Sequence, residues 1–418
     1  MTIRRLPEDF LVFERPSEAF RASLRPEPSA AATYAVYELT KTSRTTPEAA
    51  TELAKALKIR PGAVSYAGLK DKHARTTQFF SAELSSMRGG GSGKDSPPPV
   101  VPPELTGRQW SGRLVGWSDQ VLQASDIEGN RFEIVVRDLA RETCSEMDRR
   151  AALLRDSDST TESASLLFVN YFGAQRFGSA RHKQGFIAPH LIRGDFEQAL
   201  RLAIATPARK DAGRTRFFTR TAAAKWGDWK TLAAELPRCP ERAPIEALAA
   251  GHDFRDAFAT LPNFLQAMYV EAYQSHLWNR IARELAAELA QGPEQCLRSD
   301  DQFGEMLFPP ADHIGESWRQ LNLPVLGPNT QIVEPWSHAA TSVLKDEGIA
   351  ASDLRIPGLR RPFFGEAPRD FMARAQRFTL SPPRPDDLSP GRRRLCRTVA
   401  FELGRGSYAT VVLRALGQ

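Results

Sequence analysis

The acidic side chain of Asp71 lies among basic residues in the sequence SYAGLKDKHARTTQFFS, residues 65–81. Its basic neighbours are Lys70, Lys72, His73 and Arg75. Nearby cations favour the ionised form of a carboxylate, and the same cations attract phosphate groups. The alternative interpretation is a solvated charged turn, and local composition alone favours it.

Aromatic and basic residues are combined a second time in NYFGAQRFG, Asn170–Gly178. Two glycines and three aromatic residues in nine positions indicate neither a good helix nor a good strand. In one interpretation Arg176 binds a phosphate and Gln175 contacts a base or a ribose. In the other, the segment is an aromatic-rich loop that packs between domains.

Alternation of apolar and polar residues predicts the strands that position these segments. Residues 34–40 (YAVYELT) place Ala35, Tyr37 and Leu39 on one face of a strand. Residues 65–67 and 77–84 are predicted strands on either side of the loop that carries Asp71. Residues 131–139 (RFEIVVRDL) alternate in the same way and predict a further strand.

A helix is predicted after the first of these strands. Thr45 or Thr46 is its N-cap, Pro47 lies in its first turn, and Glu48 completes a capping box. Its buried stripe is predicted to be Leu53, Ala56 and Leu57. Residues 88–103 (RGGGSGKDSPPPVVPP) have a composition that cannot pack, and they predict a mobile loop.

The middle of the chain is predicted to be helical and the last segment to be β-structure. Helical spacing and Ala/Leu-rich stretches dominate from about 191 to 285, and FLQAMYVEAYQSHLWNRIARELAAEL is the clearest helix. Residues 397–415 are predicted to form two strands joined by a turn at Gly406–Ser407, with Tyr408 early in the second. Tyr408 is either a core residue or a platform for an exposed base. An isolated hairpin is marginal at best, so we expect 397–415 to join the sheet that contains 130–138.

Composition favours a protein of the reducing cytoplasm and excludes several classes. The 418 residues include 56 Lys plus Arg and 50 Asp plus Glu, a net charge of +6 that suits a polyanionic partner without requiring one. Four scattered cysteines and seven histidines lack the spacing of a disulfide scaffold or a zinc site. No signal peptide, membrane-spanning run or DNA-binding motif is recognisable, so a soluble, cytoplasmic protein is expected.

Five segments together resemble the TruD family of pseudouridine synthases. Their order along the chain is that of the family, and they extend from residue 8 to 414. The catalytic motif G-x-K-D-K/R-x-A-x-T is matched from Gly68 to Thr76, and N-Y-F-G-x-Q-R-F-G is matched at every position from 170 to 178. The other three are E-D-F-x-V-x-E from Glu8 to Glu14, G-N-x-F from Gly129 to Phe132, and a C-terminal G-S-F/Y-A-T segment from Gly406 to Val412 with Arg414.

The resemblance implies an α+β fold in which an antiparallel-sheet catalytic domain is split in sequence by a largely helical, TRUD-type insertion domain. The expected limits are 1–159 and 365–418 for the catalytic domain and 160–364 for the insertion. It further implies an enzyme that isomerises a uridine of tRNA, typically at position 13, to pseudouridine, while some relatives modify other RNAs.

The resemblance also assigns roles to residues. Asp71 is expected to be catalytic, and no metal or cofactor is expected. Substrate-binding positions are Phe10, Asn130, Phe132 and Tyr408 around the target nucleotide, with Lys70 and Arg176 as further substrate contacts. A catalytically inactive RNA-binding protein or tRNA-folding chaperone is the rival class, and it ranks behind because the motif around Asp71 is intact.

Overall fold

The chain forms two compact units in the computed structural model. The structure describes residues 3–28, 33–87, 101–156, 164–180, 184–208, 211, 213–390 and 393–418. The first unit comprises Met1–Phe168, Ala373–Val412 and Leu416–Gln418, and the second comprises Val169–Met372 and Leu413–Ala415. Most of the predicted 88–103 loop, residues 88–100, lies outside the described residues.

The first unit is built on an eleven-stranded sheet with helices on it, which confirms the predicted α+β class. Along the sheet the order is β5-β6-β2-β4-β1-β7-β13-β11-β8, with β3 on β4 and β12 on β13. The pairings are mostly antiparallel, but β1 and β4 run parallel. The strands are β1 (Phe10–Pro16), β2 (Tyr34–Thr42), β3 (Val64–Tyr66), β4 (Arg75–Glu83), β5 (Glu104–Gly107), β6 (Trp110–Ser118), β7 (Ile127–Leu139), β8 (Leu166–Val169), β11 (Met372–Leu380), β12 (Arg384–Pro385) and β13 (Leu395–Gly404).

Helices cover both faces of this sheet. Helix α2 (Thr46–Ala56) has the predicted capping box between Thr45 and Glu48. It buries Leu53 in a core cluster with Tyr37 and Leu39 of β2. Ala56, predicted to be buried, is exposed, and Ala54 takes its place. The opposite face carries a smaller cluster around Phe20 of α1 (Glu18–Ser23), and helix α3 spans Arg141–Leu153.

The C-terminal segment supplies one strand and one helix, so the predicted hairpin is wrong. Strand β13 pairs antiparallel with β7, from Leu395 opposite Leu139 to Gly404 opposite Gly129. That pairing confirms the expected sheet for residues 397–404. The second predicted strand is instead helix α13 (Ala409–Ala415), and Tyr408 immediately precedes it.

The second unit is mainly helical, in agreement with the helical spacing of the sequence. Its longest helix, α10, contains the segment predicted as the clearest helix and buries Tyr269, Tyr273, Leu277 and Ile281. In the part of the chain that the structure describes, no helix has the length and apolarity to cross a membrane. The elements are α4 (Ala188–Ile192), α5 (Phe196–Ile204), α6 (Gly213–Ala224), α7 (Trp229–Glu235), α8 (Ala243–Ala249), α9 (Phe254–Ala259), α10 (Asn263–Leu289), β9 (Leu297–Asp301), β10 (Gly304–Phe308), α11 (Glu316–Arg319) and α12 (Ser337–Glu347).

Candidate active site

The loop between β3 and β4 carries Asp71. Its Oδ2 atom lies 2.9 Å from Nη1 of Arg4, and its Oδ1 atom accepts the backbone N–H of His73 at 2.9 Å. The Asp71 side chain is 20% exposed, so solvent reaches it although both oxygens have partners. This carboxylate is therefore fixed and charge-compensated, which distinguishes it from the side chain of a freely solvated turn.

Lys41 of β2 lies beneath this loop with a fully buried side chain. Its Nζ atom donates to the backbone carbonyl oxygens of Arg44 at 2.7 Å and of Asp71 at 3.2 Å. Burial lowers the pKa of Lys41 to about 8, and the nearby charge of Asp71 opposes that shift. Lys41 was not among the predicted site residues. The period-2 pattern could have found it, because it shares the buried face of Tyr37 and Leu39.

Lys70 has a partner inside the protein. Its Nζ atom lies 2.6 Å from Oε1 of Glu14 on β1, and the two side chains are 13% and 0% exposed. Oε2 of Glu14 accepts the backbone N–H of Phe79 on β4 at 2.8 Å. Lys70, which the resemblance assigned to substrate binding, thus connects the Asp71 loop to two adjacent strands of the sheet.

The start of α2 provides a second anchor for the loop. Oγ1 of Thr46 accepts the backbone N–H of Lys70 at 2.9 Å and donates to Oε1 of Gln78 at 3.0 Å. Nε2 of Gln78 donates to the carbonyl oxygen of Gly68 at 3.4 Å. Thr46 and Gln78 are buried, and a connected buried network of this kind restrains the backbone that it joins.

Three phenylalanines on adjacent strands form an aromatic cluster beside Arg4. Phe10 of β1 and Phe132 of β7 meet edge to face with 6.2 Å between ring centroids, and Phe132 lies 5.5 Å from Phe401 of β13. The guanidinium carbon of Arg4 is 4.6 Å from the centroid of Phe10. Arg4 therefore contacts both the Asp71 carboxylate and the aromatic cluster. Phe10 and Phe132 are among the predicted site residues, and Phe401 is not. Phe401 joins the cluster because the register of β13 places it opposite Phe132.

Asn130 of β7 presents a hydrogen-bond acceptor at the edge of this cluster. It lies opposite Glu14 in the β1–β7 register, two residues from Phe132 and on the same face. Its Oδ1 atom is buried and has no hydrogen-bond partner among the described residues. The preceding Gly129 allows close strand contact, because a Cβ atom there would lie 2.0 Å from the carbonyl oxygen of Leu403. Buried amide oxygens normally have partners, so this atom indicates a hydrogen-bond donor on a ligand.

Tyr408 occupies a different setting from the predicted one. It follows the turn after β13, is partly exposed, and its carbonyl oxygen accepts the backbone N–H of Val411 at 3.0 Å. Tyr408 therefore lies at the start of α13 rather than within a strand.

Arg176 belongs to the second unit. Its Nη2 atom lies 3.0 Å from Oε2 of Glu271, and its Nε atom donates to Oγ of Ser275 at 3.2 Å. Tyr171 and Phe177 of the same signature are almost completely buried. Much of the NYFGAQRFG segment is therefore core of the second unit, while Arg176 stays about one-third exposed.

One group among the described residues has the spacing of metal ligands, namely Asp386, Asp387 and Cys396. Nη1 of Arg137 donates to Oδ1 of Asp386 at 2.7 Å and to Oδ1 of Asp387 at 2.6 Å. Nε of Arg137 donates to the buried carboxylate of Asp9 at 2.9 Å. Arg137 therefore bridges these three carboxylates, and the group is an ion-pair network within the first unit.

Comparison with known proteins covers nearly the whole chain. Residues 1–416 match the family model described as tRNA pseudouridine synthase D (TruD). The tRNA pseudouridine synthase D of Aquifex aeolicus is 28% identical, with 92% of this chain and 91% of that protein aligned. A probable tRNA pseudouridine synthase D of Halobacterium salinarum is 30% identical over 99% of this chain and 92% of its own length. A crystal structure from Methanosarcina mazei, assigned as a TruD protein, has the same fold, with a TM-score of 0.67, 23% identity, and coverage of 99% of this chain and 92% of that one.

Proposed function

Because the chain belongs to the TruD family of tRNA pseudouridine synthases and isomerises uridine in tRNA to pseudouridine, we propose that Asp71 is its catalytic carboxylate and that uridine 13 is its target. The observation that carries this proposal is the carboxylate itself, which is partly exposed, held by the His73 N–H and paired with Arg4. Position 13 is the typical target of the family that the motifs resemble.

The reaction needs one ionised carboxylate and no second acid. In one route, an Asp71 oxygen bonds to C1′ while the bond from C1′ to N1 breaks and its electron pair goes to the uracil. The uracil rotates, C5 bonds to C1′ as the Asp71 oxygen leaves, and the C5 proton is lost while N1 gains a proton. In the other route, Asp71 removes the 2′ proton while the bond from C1′ to N1 breaks and its electron pair goes to the uracil, which gives a glycal. After rotation, C5 bonds to C1′ as C2′ regains a proton, the C5 proton is lost, and N1 gains a proton. The fixed carboxylate supports both routes, and neither needs a metal or a cofactor.

The uracil must be held while it rotates. Oδ1 of Asn130, which has no partner among the described residues, can accept the N3–H of the uracil. Phe10 and Phe132 form an apolar floor beside Arg4, and Tyr408 is positioned by α13 as a stacking surface. Such contacts partly offset the few kcal/mol that flipping a base out of the RNA costs.

The two units divide the work in this proposal. The first unit, with Asp71, is the catalytic domain, and the second is the insertion domain, whose Arg176 contacts the RNA backbone. Lys70 acts by positioning the Asp71 loop through Glu14 rather than by touching phosphate. Because tRNA is the substrate, we place the enzyme in the cytoplasm.

Asp71→Asn tests the catalytic assignment. The amide keeps the shape of the side chain but can neither attack C1′ nor accept the 2′ proton. We expect pseudouridine formation on a tRNA transcript to fall at least about a thousandfold in single turnovers, while tRNA affinity is kept or rises. Asp71→Glu should also be slow, by about a hundredfold, because the extra methylene displaces the carboxylate by roughly 1 Å.

Asp119→Asn is a matched control that removes the same charge from the same unit. Asp119 follows Ser118, which pairs with Tyr34 at one end of β2, whereas Lys41 and the Asp71 loop are at the other end. The control should turn over like the parent. A folded Asp71→Asn enzyme with a near-parental rate would overturn the assignment, and loss of binding together with activity would mean that Asp71 only holds the loop.

A further inference from the structure

Phe363 of the second unit is an apolar side chain that faces solvent. The residue is 67% exposed, and its ring lies close to Gly365, where an added Cβ atom would be 3.3 Å from the ring. The backbone beneath it is fixed, because Nε2 of the buried Gln274 donates to the carbonyl oxygens of Gly365 at 2.8 Å and of Leu326 at 2.7 Å. The ring is therefore exposed to solvent, and the backbone next to it is fixed by the hydrogen bonds of Gln274.

Two hollows include Phe363 in their lining. One has a volume of about 580 Å³ and is lined by Phe363 together with Phe172, Gln266 and Arg361. The other has a volume of about 500 Å³ and is lined by Phe363 together with Asn329 and Arg355. Both volumes are in the range of small-ligand sites, so each can take one base.

One buried polar atom of the first hollow has no hydrogen-bond partner among the described residues. Gln266 is 2% exposed, and its amide nitrogen donates to the carbonyl oxygens of Leu261 at 2.6 Å and of Ala259 at 3.2 Å. These two bonds fix the orientation of the amide, and its Oε1 atom, also buried, accepts no hydrogen bond from the described residues. A buried acceptor that lines a cavity indicates a donor on whatever fills that cavity.

Positive charge accompanies the two hollows. Arg360 and Arg361 are exposed and adjacent to the ring in sequence, and no ion pair or hydrogen bond joins either to another described residue. Among the described residues, the side chain of Arg355 has one hydrogen-bond partner, Asn329, at 3.2 Å. An exposed aromatic ring that lines two base-sized hollows, near guanidinium groups that have no carboxylate partner among the described residues, has the chemistry that recognises single-stranded nucleic acid.

We propose that Phe363 and its two hollows bind two successive unpaired nucleotides of the tRNA substrate. One base lies against the ring in the first hollow and donates a hydrogen bond to Gln266. The next base occupies the second hollow, and Arg361 and Arg360 contact the phosphate between them. This site rests on the tRNA substrate of the proposed function, but it does not depend on which residue is catalytic.

Binding measurements in an Asp71→Asn background separate this site from catalysis. The ligand is a tRNA transcript that the parent enzyme modifies, and its Kd is measured at several salt concentrations. Phe363→Ala should weaken binding about tenfold or more, the loss expected when one stacked base is released. Phe363→Trp should keep the Kd within about threefold of the parent, because it preserves the stacking surface.

Arg361→Ala should flatten the dependence of log K on log salt concentration by roughly one unit, since one phosphate contact is lost. The matched control is Phe217→Ala, because Phe217 of α6 is also exposed, at 54%, and lines neither hollow. It should bind tRNA like the parent. Thermal unfolding should be unchanged in every one of these variants, because the substituted side chains are exposed.

Parental tRNA affinity in both Phe363→Ala and Arg361→Ala would overturn the proposal, and a protein partner would then be the expected contact of the exposed ring. Equal weakening by Phe217→Ala would overturn it as well, since the effect would then not be specific to the hollows. Failure of the Asp71 assignment would leave these binding results intact, so the two proposals fail separately.

Discussion

Lys70→Met tests whether Lys70 supports the candidate site from within or binds the RNA. The substitution removes an ammonium that lies 2.6 Å from Glu14 and keeps a side chain of similar length. Glu14 is then left fully buried, with the Phe79 N–H at 2.8 Å as its remaining donor. Removing one partner of a buried ion pair costs about 3–5 kcal/mol. For a unit of roughly 200 residues, that loss lowers the Tm by about 6–20 °C.

The double variant Lys70→Met, Glu14→Gln isolates the pair. The glutamine oxygen can still accept the Phe79 N–H, and no uncompensated charge remains buried, so most of the lost stability should return. Lys72→Met is the control, because Lys72 lies in the same loop but is exposed, and its effect should stay within about 0.5 kcal/mol. Unfolding is followed thermally and in denaturant.

Binding of tRNA by the double variant decides between the two roles. If Lys70 positions the loop, the salt dependence of the affinity should equal that of the parent. A slope flatter by roughly 0.7–0.9 would mean that a phosphate contact has been lost. That result, or a single variant as stable as the parent, would refute the positioning role.

Two further predictions concern the neighbours of Asp71. Asn130→Ala should leave stability within about 0.5 kcal/mol of the parent, because its Oδ1 atom has no hydrogen-bond partner among the described residues. It should slow single turnovers by about 10- to 100-fold through loss of one uracil hydrogen bond, and a parental rate would remove Asn130 from the site. Lys41 has a pKa of about 8, so it loses its positive charge near Asp71 above pH 8, and we expect single-turnover rates to decline there. Lys41→Met should be slower than the parent and should not show this decline. Because the pKa of Lys41 lies below its unfolded value of 10.5, the contribution of this group to stability rises from about pH 8 to 10.5, so unfolding measured over the same range excludes denaturation as the cause.

Local signals in the sequence were sufficient for several elements. The Thr45–Glu48 capping box and the alternation in β2 and β7 depend on neighbouring residues, and the structure has each of them. The same reasoning failed at 409–415. There Val411, Val412 and Leu413 are all buried, and a short apolar run buried on every side does not distinguish a helix from a strand.

The candidate site was predicted from motif residues, and its supports depend on tertiary structure. Asp71 lies within a recognisable motif, whereas Arg4 and Lys41 reach it from other segments of the chain. The basic character of Lys70 suggests a phosphate contact. Composition does not reveal that a buried glutamate on β1 is its partner. Charge is visible in a sequence, but burial and pairing of that charge are set by how the strands assemble.

The position of β13 between β7 and β11 has a consequence for protein synthesis. Strand β7 ends at Leu139 and its partner begins at Leu395, so a ribosome adding roughly 5–20 residues per second needs about 10–50 s to make the segment between them. During that time one edge of β7 lacks its final neighbour, and open strand edges are sites of aggregation. The nascent chain can fold the contiguous residues 169–372 first, and it completes the sheet only when β13 has left the exit tunnel. Chaperone dependence should therefore be greatest for nascent chains that contain β7 but not yet β13.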